Sequence, residues 1–335
     1  MDNPVLVEVL RGNRVESRHR GAVAVVDGDG AVVLAVGDID QPVYPRSTVK
    51  VIQALPLVES GAADAFGFGD RELALACASH RGEPLHVATA ADMLARAGLE
   101  KDALECGPHW PNDHASTVRL AREGGEPSAL HNNCSGKHAG FLCTCRHRGI
   151  EHRGYVAPDH PVQAAVRQAM EEVTGAAHSA DNRAVDGCSI PTYAVPIRNL
   201  ALGFARMASG KGLSRDRNQA VRRLFTACMA EPFMVSGTGR PDTEIMRAGK
   251  GRIFVKTGAE GVHCAALPEY GYGIAIKCDD GAGRASDSIV AAVLARHLAD
   301  DPDISATLMG ICMPAVSSRN GVTVGRIRPT PAVTG

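Results

Sequence analysis

Apolar and polar residues alternate along the first 37 residues with the period of two expected of half-buried strands. Val5, Val7 and Val9 mark one strand, and Val23-Ala24-Val25-Val26 and Ala31-Val32-Val33-Leu34 mark two more, joined by a turn at Asp27-Gly28-Asp29-Gly30. From 47 to about 250 the pattern changes to helices and loops. It predicts helices over 47–60, 70–78, 87–97, 114–123, 136–147, 160–174, 198–208, 215–230 and 242–249. The clearest is 160–174: Pro161 suits an early helical position, Val162, Ala165, Val166, Ala169 and Val173 form one face, and Gly175 follows as a stop. Strands return at 252–258, 262–267 and 272–278, separated by Gly-rich turns. A helix over 284–299 follows, with Ile289, Val290, Val293, Leu294 and Leu298 as its apolar face. The stretch 300–335 offers one strand, 322–327, and a Pro-rich end expected to fray.

Strands at both ends and helices between them predict an α+β fold with one antiparallel sheet built from both termini, about 1–40 and 252–328. The stretch of about 47–250 would form a helical lobe, with a cleft where lobe meets sheet. Since no linker interrupts the pattern, 1–335 is read as a single domain. The 335 residues are 44% hydrophobic, enough for a sizeable core, but only 4% aromatic, so Ala, Val and Leu must do most of the packing. A formal charge of -1 without long basic or acidic runs argues against nucleic acid or an anionic membrane as partner. The opening MDNPVLVEVL lacks the basic and apolar regions of a secretory signal, and no apolar run is long enough to span a bilayer. Ten cysteines in such a chain read as free thiols in a reducing cytoplasm, or as metal ligands.

Candidate chemistry starts at Ser47-Thr48-Val49-Lys50. A serine and a lysine three apart become neighbours on a first helical turn, and the amine can then take the hydroxyl proton. With 7 Lys and 17 Ser in the chain, roughly 0.4 such pairs arise by chance, so the pair needs company. Lys256-Thr257-Gly258 ends a predicted strand, and about 0.03 such triplets are expected by composition. There a lysine supplies fixed charge, a threonine hydroxyl can bind a carboxylate, and glycine lets a ligand approach the strand edge. Ser79, in Ala76-Cys77-Ala78-Ser79-His80, follows a short helix that Asp70 could cap. Alone it reads as a polar helix end. The three elements together, in this order, resemble the penicillin-recognising serine enzymes. A departure is Arg81, which stands where that group has an asparagine two residues after the second serine.

A fourth stretch, His131-Asn132-Asn133-Cys134-Ser135-Gly136-Lys137-His138, opens a helix whose amides favour a thiolate. A second cysteine lies in Asp186-Gly187-Cys188-Ser189-Ile190-Pro191. Cys134 and Cys188 can take a Zn²⁺ with nitrogen or oxygen in other positions. Their spacing is no zinc-finger pattern, however, and buried free thiols are the commoner explanation. His138 and Asp186 have plain readings as well, a helix-surface imidazole and a turn carboxylate.

The segments YPRSTVK, ACASH, HNNCSGKHAGFL, DGCSIPTYAVP and VKTGAEGVHCAALPEYGYGIAIKCDDG, in this order, resemble the class 3 (rhizobial-type) L-asparaginases, the L-asparaginase II family. The resemblance implies a serine beta-lactamase-like fold, a homodimer, and hydrolysis of L-asparagine to L-aspartate and ammonia. It implies two Ser-Lys tandems, Ser47 with Lys50 and Ser79 with Lys256, and a zinc held by Cys134, Lys137 and Cys188. Arg46, His138, Asp186, Thr257 and Gly258 are candidates for substrate binding. Rival readings are a beta-lactamase or D-amino-acid peptidase, a glutaminase, and a non-catalytic zinc or thiol sensor.

Overall fold

The computed structural model describes residues 3–335; residues 1 and 2, included in the expected sheet, lie outside them. The chain divides into two compact units. One comprises the described residues up to 48 together with 195–212 and 244–335, the other 49–194 and 213–243.

The first unit carries an eight-stranded antiparallel sheet. From one edge its strands run Ala315–Ser317, Thr323–Pro329, Val5–Arg11, Arg14–Val26, Tyr272–Cys278, Val262–Leu267 and Phe254–Thr257, with Val32–Val36 also paired to Arg14–Val26. The two chain ends therefore build one sheet, as the alternation predicted. The 13-residue strand Arg14–Val26 makes this possible. Its first half pairs with Val5–Arg11, and its second with Tyr272–Cys278 and Val32–Val36. Val262–Leu267 is buried at every position, the mark of a strand covered on both faces.

Helices Ile197–Ser209 and Gly283–Ala295 pack on this sheet. The first comes so close that a β-carbon at Gly273 would overlap Ala201 O and Ala205 N. Expected in the helical lobe, 195–212 instead belongs with the sheet. Its apolar face is the reason: Ile197, Leu200, Ala201, Phe204 and Ala205 are all buried. The C-terminal stretch also departs from expectation. Pro302–Cys312 is a helix, its first turn capped by the Asp301 carboxylate, which accepts from Ile304 N at 3.1 Å. The Pro-rich end is held too. Pro331–Thr334 forms a short helix, Val333 is buried, and Arg296 donates to Val333 O at 3.0 Å.

The second unit is helical apart from one small hairpin, Arg183–Val185 with Pro191–Tyr193. Helix Ser135–Arg148 is buried from Ser135 to Cys145, and Asp70–Ala76 and Pro84–Arg96 pack against it. The predicted helix 47–60 is broken into a 3₁₀ turn, Arg46–Val49, and two short helices, Lys50–Gln53 and Leu55–Glu59. Pro56 explains the second break, because its ring has no N–H to give to the preceding turn. Asp70 lies in the first turn of its helix and is not its cap. Gly69 is the cap residue, and its N–H donates to Glu72 Oε2 at 2.9 Å. Among the described residues no helix is long and apolar enough to cross a membrane.

Candidate active site

Five of the residues singled out from sequence lie in the first unit. Arg46 has φ +52°, a left-handed conformation that is strained for a residue with a β-carbon. It opens the 3₁₀ turn that presents Ser47, which is half-buried. The turn is tied down by Thr48, whose backbone N–H and hydroxyl both donate to Pro45 O, at 3.2 and 2.7 Å. The end of strand Phe254–Thr257 lies against the same turn. A β-carbon at Gly258 would fall 2.9 Å from Thr48 Cγ2 and 3.0 Å from Pro45 O, so glycine is required there for close approach. Lys256 is fully buried and donates to Thr257 O at 2.9 Å. It stands across from Cys264, whose thiol burial pushes up to about 12. Thr257 stands across from His263, with Oγ1 and Nδ1 3.4 Å apart. The turn that carries Ser47 and the strand end that carries Thr257 and Gly258 thus lie side by side.

The other seven gather in the second unit. Lys50, fully buried, donates to Ala78 O at 2.5 Å and to Ser79 Oγ at 3.0 Å. Ser79, which the resemblance pairs with Lys256, thus also has the Lys50 amine at hydrogen-bonding distance. Ser79 is held by its own N–H, which donates to Val235 O at 2.9 Å. The next N–H, that of His80, donates to Asn133 O at 3.2 Å.

Cys134 is the cap residue of helix Ser135–Arg148, and one turn on Lys137 points its amine 3.0 Å from Cys188 Sγ. Cys188 is delivered by the hairpin loop, closed by Asp186 N donating to Ile190 O and bent at Ser189, φ +76°. Asp186 Oδ2 lies 4.0 Å from Cys188 Sγ. Cys134 is held well below the ordinary thiol range, first by its hydrogen bond with Cys188 and then by the ammonium groups of Lys50 and Lys137, against the effect of burial. Cys188 is pushed up by the same hydrogen bond and by burial. The two thiols are thus coupled, with negative charge favoured on Cys134 over Cys188. Burial works against the charge of Lys137, but Cys188, Cys134 and Asp186 hold its amine above the usual lysine value.

Two coupled thiols form a donor set that fits a thiophilic cation, and the Lys137 amine beside them can join it only by giving up its proton. Among the described residues no three His, Cys, Asp or Glu side chains gather in a metal-binding group. The resemblance implies Lys137 as a third protein ligand beside Cys134 and Cys188.

The cluster is backed by residues that motif reading passed over. Buried His80 accepts from Gly82 N at Nδ1, 3.1 Å, and its Nε2 lies 2.9 Å from Ser135 Oγ, which donates on to Leu130 O at 2.9 Å. His86 stacks on His80 with centroids 4.9 Å apart. His138 is fully buried, and its Nδ1 lies 2.6 Å from the Tyr155 hydroxyl. Arg81, where the penicillin-recognising group has asparagine, donates to Thr238 O and Asn112 O, both at 3.0 Å, and braces the loops around Ser79. Tyr155 carries no motif, and only its burial and its hydroxyl partners reveal it.

Burial pushes His80, His86 and His138 below the ordinary imidazole value of 6.5. The unfolded chain protonates these rings near 6.5 while the folded chain keeps them neutral, so below that pH the unfolded state binds more protons. Stability should therefore fall as pH drops below 6.5, by at most about 1.4 kcal/mol per pH unit for each ring. Denaturant unfolding from neutral pH to about pH 5 checks this, and a flat profile would contradict it.

A family model described as L-asparaginase II matches residues 7–329. No curated protein matches the chain. Among solved structures, Mglu is 14% identical over 85% of this chain and 67% of its own, with a TM-score of 0.38. In a structure of Mglu in the presence of 4.3 M NaCl the chain covers 61% of it, so it spans two thirds of Mglu's length or less. A beta-lactamase, Mb2281c from Mycobacterium bovis, is 15% identical over 87% of this chain and 95% of its own, with a TM-score of 0.39. D-alanine carboxypeptidase AmpC from Burkholderia cenocepacia is 12% identical over 87% and 93%, with a TM-score of 0.38.

Proposed function

This chain belongs to the L-asparaginase II family, and on that premise we propose that it hydrolyses L-asparagine to L-aspartate and ammonia through a Ser-Lys nucleophile. That it is an amidohydrolase follows from the family; the substrate and the mechanism are the proposal. The observation that carries the mechanism is the buried Lys50 amine on Ser79 Oγ at 3.0 Å, three residues after Ser47.

Ser47 Oγ attacks the side-chain amide carbon, and Lys50, acting in its neutral form, takes its proton as the C–O bond forms. Developing negative charge on the amide oxygen is stabilised by backbone N–H groups near Ser47. The Lys50–Ser79 hydrogen bond gives that proton a path to Ser79, which delivers it to the leaving nitrogen as the C–N bond breaks. Water then attacks the resulting ester, releasing aspartate and returning the proton to Ser47. Lys256 adds fixed positive charge to this reading and supports Ser79. Arg46, His138, Asp186, Thr257 and Gly258 hold the α-amino and α-carboxylate groups.

Cys134, Cys188 and Lys137 would hold a zinc ion, which would supply positive charge beside the substrate and carry no step. The purified protein should retain about one zinc per chain, and Cys134→Ser with Cys188→Ser should lose it. Retention should weaken as pH falls, because protons compete for the thiolates. Elemental analysis after dialysis decides it, and stoichiometric zinc in the double variant would sink the assignment. A homodimer belongs to the same reading, and sedimentation tests it. All ten cysteines are buried, and so many buried thiols suit a reducing compartment.

The deciding experiment is ammonia release from L-asparagine, with L-glutamine and a chromogenic beta-lactam as comparisons. Rapid beta-lactam hydrolysis with no turnover of asparagine would overturn the substrate assignment.

A further inference from the structure

His138 has one ring nitrogen engaged and one bare. Nδ1 meets the Tyr155 hydroxyl at 2.6 Å, whereas Nε2 is buried with no hydrogen-bond partner among the described residues. A buried polar nitrogen left in this way costs stability unless a ligand meets it. Which ligand fits depends on whether Nε2 carries the hydrogen, and Tyr155 decides that. The tyrosine oxygen accepts from Glu105 N at 2.8 Å. Burial pushes its hydroxyl well above the usual phenol value, so it keeps its hydrogen. Inside the protein that hydrogen needs an acceptor, and the lone pair of His138 Nδ1 is in place to take it.

We propose that Tyr155 is a positioning residue that fixes His138 as the Nε2–H tautomer, making the ring a committed donor to the α-carboxylate of the amino-acid substrate. A carboxylate fits better than a carbonyl because positive charge lies near the ring at Lys137, the preceding residue, whether carried by its ammonium or by a cation bound there. A donor fixed among cations accepts an anionic oxygen and rejects an α-ammonium, so the contact also sets which way round the amino acid sits. Tyr155 acts only through His138, and the inference rests on the proposed amino-acid substrate.

Tyr155→Phe keeps the ring and its packing and removes only the hydroxyl. In ¹⁵N-labelled wild-type protein, without substrate, His138 should give the Nε2–H signature, and in Tyr155→Phe a mixture of the two tautomers. KM for L-asparagine should rise about tenfold in the variant, with kcat within about threefold. His138→Gln supplies a donor at the Nε2 position that needs no tautomer, so adding Tyr155→Phe to it should leave KM unchanged. An Nδ1–H ring in the wild type, an unaltered ring in Tyr155→Phe, or a KM penalty that persists in the His138→Gln background would each overturn the proposal. A wild-type protein inert toward L-asparagine would overturn the substrate reading instead, and the substrate-free ring signals would still decide the tautomer.

Discussion

Ser47→Ala should lower kcat for L-asparagine by at least about a thousandfold while leaving unfolding stability within about 0.5 kcal/mol of wild type. The hydroxyl is the only group removed, and the turn that carries it does not depend on it. That turn is held by Thr48 donating twice to Pro45 O, and by the close approach of Gly258. If Ser47 forms the covalent bond, KM should change far less than kcat. Ser79→Ala should fall in the smaller range of a lost proton relay, about a hundred- to ten-thousandfold, and should remain able to form an acyl-enzyme. Steady-state assays with mass spectrometry of the trapped ester separate the two serines. Wild-type-like turnover by Ser47→Ala, or an ester found on Ser79, would reverse the assignment.

Gly136→Ala should destabilise the chain by about 3 kcal/mol and reduce activity with it. At Gly136 a β-carbon would overlap Leu75 O and lie 2.5 Å from Leu75 Cγ and 2.8 Å from Leu75 C. Part of that obstacle is backbone, which cannot rotate away. One helix would have to move off the other. The two helices involved, Asp70–Ala76 and Ser135–Arg148, lead respectively into Ser79 and out of Cys134. The separation that relieves the clash would also loosen the hydrogen bond from His80 N to Asn133 O. A methyl group would thus be felt at the site without touching it. Thermal or denaturant unfolding measures the loss, and a variant as stable as wild type would refute the close packing.

Much of this architecture is legible in the sequence because periodicity and caps report it locally. Pro161 and Gly175 bound a helix that spans Pro161–Thr174, and the valines at both chain ends mark strands that share one sheet. What local patterns lose is partnership. Nothing in the spacing of Cys134 and Cys188 shows that a hairpin with three-residue strands, too short for any period, delivers one thiol to the other. Ile197–Ser209 reads clearly as a helix, yet its membership of the sheet-bearing unit depends on the bare backbone at Gly273. Asp301-Pro302 does signal a helix start, and the rule that reads it applies to Pro302–Cys312. Of the site, Ser47, Lys50 and Lys256-Thr257-Gly258 stand out by rarity and order. Tyr155 does not, because a single tyrosine between glycine and valine carries no pattern.

The complete burial of the cysteines makes the protein its own unfolding probe. Three of them, Cys264, Cys278 and Cys312, belong to the sheet-bearing unit, and the other seven to the helical one. A chromogenic disulfide reagent can reach a buried thiol only when its surroundings open, so colour should develop at the pace of opening and not of thiol chemistry. If the units open separately, the absorbance should rise in two phases with amplitudes near three to seven; if they open together, in one. A titration against time, with no label and no substitution, would then read cooperativity directly.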